Sequence, residues 1–233
     1  MISLSTGRFK VALTSGVDSF RHPFIGHLPG FSEVADTLAP SPWGNEPYVR
    51  LLSEQWKNLI DSNESRQERV LQSFLERHPS LLPGSHTVDC SSDHWPFPFA
   101  VISQPILPGL LMRQPDFLWI ASNSTTVYPV LIEIETAHKR WFHAKGNEFH
   151  SDFSHALGQL IEWAAWFASG SNAGSFKDYY EFPGYLRELT MIPRFVLIHG
   201  RRSEYEGNSA RKAKIAMTAR HDQRLMSFDR LGT

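Results

Sequence analysis

Asp116, Glu133 and Glu135 are the side chains of this chain best placed to do chemistry, because each is an acid set in an apolar run. Gln114-Pro115-Asp116-Phe117 opens one such run, and Leu131-Ile132-Glu133-Ile134-Glu135 closes a second. Carboxylates among Ile, Leu and Val are costly to bury unless something answers their charge. Side chains alternate across a strand, so Glu133 and Glu135 share a face, roughly 6.6 Å apart at about 3.3 Å per residue. With strands over 116–121 and 127–135 as neighbours, Asp116 approaches the same face. Three oxygen ligands converging at strand ends make a site for a hard divalent cation such as Mg²⁺ or Mn²⁺. The chemistry such an ion supplies is metal-assisted phosphodiester cleavage. A solvent-facing acid on an edge strand is the plainer account of Asp116 taken alone.

The elements that must position these acids are legible in the hydrophobic periodicity. Pro47 suits the first turn of a helix that continues through Leu51, Leu52, Trp56, Leu59 and Ile60. Ser65 and Glu68 have the spacing of a capping box for a second helix, whose stripe is Val70, Leu71, Phe74 and Leu75 and which Pro79 stops. A strand is expected near Phe99–Ser103. The two acid-bearing strands follow, joined by a hairpin loop at Ser122-Asn123-Ser124-Thr125. After a polar and aromatic loop from His138 to His150, a helix runs from about Asp152 to Ala168, with Gly170 expected to close it. At about 100° per residue its buried side reads as Leu157, Leu160, Ile161, Ala164 and Phe167, and its other side as His155, Gln159, Glu162, Trp163 and Trp166. Phe195–His199 reads as a buried strand, Ser209–Arg220 as a helix and Leu225–Phe228 as a last strand. This alternation implies an α/β fold, a mixed central sheet flanked by helices on both faces.

The chain has 233 residues, enough for one substantial domain preceded by an irregular or weakly stranded extension over residues 1–45 that ends in a linker at Ala39-Pro40-Ser41-Pro42-Trp43-Gly44. With 41% hydrophobic and 20% charged residues it can build a core and is too weakly charged to be disordered. Its one cysteine, Cys90, excludes an internal disulfide and a Cys-rich zinc site, which fits a reducing cytoplasm. No basic segment followed by an apolar core opens the chain, and no stretch nears the roughly 18 apolar residues of a membrane span. Neither secretion nor membrane insertion is expected. A net charge of -1 argues against nucleic acid, which selects a basic footprint. The distribution answers in part: from residue 191 onward nine Lys and Arg face four Asp and Glu. Arg201, Arg202, Arg211 and Lys212 are the phosphate-binding candidates in that stretch, with solvated helix charge as the plainer reading.

The order Pro115-Asp116-Phe117, a strand, Ile132-Glu133-Ile134-Glu135, then His155-Ala156-Leu157-Gly158-Gln159-Leu160-Ile161-Glu162-Trp163 resembles the PD-(D/E)XK (restriction-endonuclease-like) nuclease superfamily. Within it the chain is most similar to the nuclease domain of the Shedu anti-phage defence proteins. Glu68-Arg69-Val70-Leu71-Gln72-Ser73-Phe74-Leu75-Glu76-Arg77-His78-Pro79, Phe195-Val196-Leu197-Ile198-His199-Gly200-Arg201-Arg202 and Ser227-Phe228-Asp229-Arg230-Leu231 add to the likeness, which spans about residues 64 to 231. The resemblance implies a nuclease domain over 46–233, a metal-dependent DNA endonuclease acting in bacterial anti-phage defence. It implies Asp116, Glu133 and Glu135 as ligands of Mg²⁺ or Mn²⁺. It also implies Gln159 as a residue that positions water, metal or phosphate, and Glu68 as an acid of the metal's outer shell. Glu68 has a second reading, as capping-box partner of Ser65.

Position 135 departs from the superfamily pattern, where a Lys usually helps to activate water. Lys139, Arg140 and Lys145 are the candidate substitutes, and Lys139 lies nearest the strand end. Two readings stay open: Glu135 adds metal affinity while Lys139 supplies the charge, or the domain is a catalytically impaired DNA-binding or regulatory module. A homo-oligomer would pair sites for two-strand cutting. Trp163 and Trp166 are expected either to stack on splayed bases or to pack beneath a loop. His138 with His143 and His150 with His155 stand five apart and lack Cys support, a poor zinc pattern. No Gly-x-Ser-x-Gly elbow is present. Gly200-Arg201-Arg202 after a buried strand reads either as a phosphate-binding turn or as a plain strand-to-helix connection.

Overall fold

The computed structural model describes residues 3–5, 10–13, 46–84, 97–110 and 114–231. Cys90 and the expected linker at 39–44 lie outside the described residues. A single mixed sheet forms the centre. Its strands are β1 (Ser3–Ser5), β2 (Lys10–Leu13), β3 (Phe97–Ser103), β4 (Phe117–Ser122), β5 (Thr126–Ile134), β6 (Thr190–Met191), β7 (Arg194–Ile198) and β8 (Gln223–Met226). They run in the order β1-β2-β3-β4-β5-β7-β8, with β6 beside the start of β5. Neighbours from β1 to β5 are antiparallel, while β5, β7 and β8 are parallel. Two strands from the expected N-terminal extension thus lengthen one edge of the sheet.

All nine residues of β5 are buried, as a strand covered on both faces requires. Val127 and Leu131 belong to one core with Leu118 and Ile120 of β4, while Tyr128, Val130, Ile132 and Ile134 belong to a second with Phe117 and Trp119. The first core is closed by α3 (Ser151–Ala168) and α4 (Gly170–Tyr179). The second is closed by α1 (Glu46–Asp61) and α2 (Glu68–Arg77), through Leu52, Trp56, Ile60, Leu71, Phe74 and Leu75. A short α5 (Gly184–Arg187) and an α6 (Ser209–Thr218) complete the helices. None of the helices among the described residues is long and apolar enough to cross a membrane.

The hairpin forms where expected, because Asn123 Oδ1 accepts from the N–H groups of Thr125 (2.9 Å) and Thr126 (2.8 Å), a side-chain mimic of a backbone turn. Three local expectations fail for identifiable reasons. Ser65 does not cap α2: its hydroxyl donates to the carbonyls of Ser62 (2.8 Å) and Ile60 (3.1 Å), and Gln67 takes the cap position without a side-chain bond. Gly170 does not close α3 but opens α4 after Ser169. The buried side of α3 is Phe153, Ala156, Leu160, Trp163, Trp166 and Phe167, and Ile161 is 46% exposed. Trp163 is fully enclosed and Trp166 nearly so, which removes the base-stacking reading and leaves them as core.

Candidate functional site

Strand register brings the acids together. Phe117 pairs with Ile132 and Leu118 with Leu131, which brings Asp116 and Glu133 to the same end of the hairpin, where their side chains interact. Parity places both on the α3 side, because Leu118 and Leu131 belong to that core. At Asp116 the chain leaves the regular ladder: its N–H donates to the carbonyl of Ile132 (3.0 Å), the partner of Phe117, and its Oδ2 accepts from Ile134 N (2.7 Å). Glu135 follows the last residue of β5 and extends the parallel ladder by donating its N–H to Ile198 O (2.9 Å).

Gln159 reaches this face from α3, donating from Nε2 to Glu133 Oε1 at 2.8 Å. Glu133 Oε2 is buried without a hydrogen-bond partner. Lys139 forms a direct ion pair with Glu135 through Nζ, one helical turn on in sequence. Glu68, freed from any capping role, comes within electrostatic reach of Asp116, Glu133, Glu135 and Lys139. All six expected site residues therefore converge.

The electrostatics follow from crowding acids in a place that excludes water. Burial is the main cause pushing the Glu133 pKa far above the carboxylate range, and Asp116, Glu135 and Glu68 add to it while the Gln159 amide opposes. Burial likewise drives Asp116 upward, against the Ile134 N–H bond, with Glu68 and Glu135 reinforcing. Glu68 is raised by burial and then by Glu135. Burial works against the Lys139 ammonium, but its bond to Glu135 and the charges of Glu135, Glu68 and Asp152 outweigh that and hold its pKa high.

Behind the acids lies a rigid wall. His199, at the end of β7, is fully buried and packs edge-on against Trp141 and Phe153. Burial lowers its pKa to about 4, so the imidazole is neutral. Gly200 sits at φ +53°, and a Cβ there would come within 2.6 Å of Lys139 O and 2.8 Å of Trp141. Only glycine lets β7 end this close to the backbone that carries Lys139.

The expected phosphate-binding residues fare differently. Arg201 bonds Asp229 (2.8 Å), Ile60 O (3.0 Å) and Asp61 (2.6 Å), tying the end of the chain to α1. The N–H of Gly200 goes to Thr136 O and that of Arg202 to Asp229 Oδ2 (2.6 Å), so the turn is a connection and offers no free N–H pair to an anion. Arg202 faces Glu206 at 3.0 Å. Arg211 donates to the carbonyls of Glu204 (2.8 Å), Gly146 (2.6 Å) and His143 (3.3 Å) and to Asn147 Oδ1 (3.2 Å), which engages its guanidinium at the surface. Lys212 is exposed.

Sequence reasoning missed His150, Asp152 and the wall. His150 is the N-cap of α3, its Nδ1 accepting from Asp152 N at 3.3 Å, and an imidazole cap has no strong sequence signature. Gly200 had a signal, a glycine directly after a buried strand.

In chemistry the donor set suits a hard divalent cation: all oxygen, anionic, with one carboxylate oxygen buried and unpartnered. Among the described residues no three Asp, Glu, His or Cys side chains stand as a ready coordination set. Ile134 N, Gln159 and Lys139 each engage one of the acids. No curated protein matches the chain. Residues 65–231 match the family model described as Shedu protein SduA, C-terminal.

Proposed function

Since the chain belongs to the Shedu SduA C-terminal family, which suggests a part in anti-phage defence, we propose that it is a metal-dependent DNA endonuclease whose active site is the acidic cluster on the α3 side of β4 and β5. The observation that carries the reading is the meeting of the Asp116 and Glu133 side chains at the end of the hairpin, with Gln159 bonded to Glu133 and Lys139 bonded to Glu135. A fold does not retain four crowded acids for stability, because each resists burial and repels the others.

Asp116, Glu133 and Glu135 would hold the cation. When bound, Mg²⁺ or Mn²⁺ polarises a phosphoryl oxygen and lowers the pKa of a coordinated water. Gln159 fixes one Glu133 oxygen through its Nε2 donor, leaving the other oxygen oriented toward the cluster. Lys139 supplies the positive charge that the Glu135 position lacks, at a geometry set by the Gly200 contact beneath it. Glu68 completes the acidic field from α2.

A second reading, a DNA-binding or regulatory module without cleavage, is favoured by one observation: the acids are engaged by protein partners and not arrayed as ready ligands. Incubation of supercoiled plasmid and linear single-stranded DNA with Mg²⁺, Mn²⁺ or EDTA separates the two. Metal-dependent nicking by the wild type that disappears in Asp116→Ala and Glu133→Ala is the expected result. Undiminished cleavage in both purified variants refutes the site; binding without cleavage by the wild type selects the second reading.

A further inference from the structure

The loop between β5 and α3 is anchored at both ends to the acidic site. It starts at Lys139, bonded to Glu135, and ends at His150, which caps the helix that carries Gln159. Between Thr136 and Asn147 it contains no acid, while His138, Lys139, Arg140, His143 and Lys145 supply cations or titratable imidazoles. His138, Arg140, His143 and Lys145 are exposed. Arg140 has one long ionic contact, 3.9 Å to Glu204. Glu148 and Asp152 are the acids beyond this stretch on the site side.

The loop is also rigid. His150 N donates to Trp141 O (2.9 Å) and His143 N to Glu148 O (2.9 Å), and the Phe142 and Phe149 rings stack at 5.1 Å. From α6, Arg211 gathers the His143 and Gly146 carbonyls and lies 4.8 Å over Phe142, while Lys214 bonds Asn147 O and lies 4.7 Å over Phe149. A cationic loop held from beneath loses little entropy on binding.

We propose that this loop is the surface that grips the phosphate backbone of DNA, with Arg140 and Lys145 as the contacting side chains and Arg211 as the residue that positions them. The proposal deepens the nuclease reading and rests on it for the identity of the polyanion. It moves DNA contact from the C-terminal basic residues, where Arg201, Arg202 and Arg220 are paired with acids and Arg211 with carbonyls, to the rim of the acidic cluster.

The test is fluorescence anisotropy of a fluorescein-labelled DNA duplex in EDTA across a salt series, for wild type, Arg140→Gln/Lys145→Gln and a charge-matched control, Lys57→Gln/Arg224→Gln. Each phosphate contact adds about 0.9 to the slope of log affinity against log salt, so loss of two lowers it by about 2 and weakens binding roughly 60-fold at 0.1 M salt. The control and the conservative variant Arg140→Lys/Lys145→Arg keep the wild-type slope. Matching circular dichroism and melting temperatures establish that the exposed substitutions leave the fold intact. A loop variant with the wild-type slope, a control that loses as much, or a wild type that does not bind DNA overturns the proposal. Loop-dependent binding without Mg²⁺- or Mn²⁺-dependent cleavage sustains it and sinks the nuclease reading; cleavage with loop-independent binding does the reverse.

Discussion

Replacing Glu133 with Gln should make the metal-free protein more stable, and increasingly so as pH rises. The substitution keeps shape and keeps an oxygen to accept from Gln159, so what it removes is an acid that burial and three neighbouring carboxylates hold in its protonated form. The folded state retains a proton at Glu133 where the unfolded chain has lost it, since the ordinary pKa is 4.5. The folded state therefore binds more protons, and stability falls as pH climbs from the unfolded toward the folded value. One retained proton costs about 3 kcal/mol over the two pH units between pH 6 and pH 8. Urea denaturation in EDTA at pH 6, 7 and 8 measures this directly. The wild type should lose about that much more stability than Glu133→Gln over the interval, because the variant has no proton to retain at this position. Parallel pH dependences, or a variant less stable than wild type at pH 8, would refute the claim that crowded acids burden this fold.

Other substitutions probe separate parts of the argument. Lys139→Met should lower metal-dependent cleavage about 10²- to 10³-fold, as expected for removing one positioned charge, with Lys139→Arg restoring part of it; equal rates in Lys139→Met and wild type would remove Lys139 from the chemistry. Gly200→Ala should cost at least about 2 kcal/mol in urea denaturation, and Gly200→Asn should fare no better, because Asn tolerates positive φ but still carries the clashing Cβ. Rescue by Asn would show that φ alone matters there. Trp163→Ala should cost about 3–5 kcal/mol and leave DNA affinity unchanged below its melting temperature, as befits a core residue. Arg211→Ala should speed amide exchange at His143–Glu148, the loop it gathers, while exchange in β5 stays at the wild-type rate.

What could be read from the sequence was what depends on period and on local chemistry. Acids two apart in an apolar strand, an Asn-containing hairpin loop and a Pro-Asp before the partner strand are enough to bring Asp116 toward the face that Glu133 and Glu135 share, because alternation leaves those two acids one face. The phase of α3 was misread because its apolar residues run nearly all the way round, Leu157 and Ile161 on one side and Trp163 and Trp166 on the other. An angular projection identifies a stripe but not which of two apolar stripes meets the sheet, and the larger rings took the interior. The capping box failed because the Ser65 hydroxyl found the carbonyls of Ile60 and Ser62 closer than the N–H groups ahead of it. The C-terminal arginines were misjudged for a related reason. Charge counts do not reveal that Arg201 and Arg211 spend their donors on Asp229, 28 residues on, and on Asp61 and loop carbonyls that arrive from more than 60 residues away.

The pairing of Phe117 with Ile132 has a consequence for when the acidic cluster exists at all. A slip of β4 on β5 by a single residue reverses which β4 side chains face α3, carrying Asp116 to the α1 and α2 side. The full cluster therefore needs the native register: a slipped β4 leaves Glu133 with Gln159 and Glu135 with Lys139 but takes Asp116 away from them. Asp116 joins the other acids only in the correctly registered hairpin, so the register of β4 on β5 and the completeness of the site are one event.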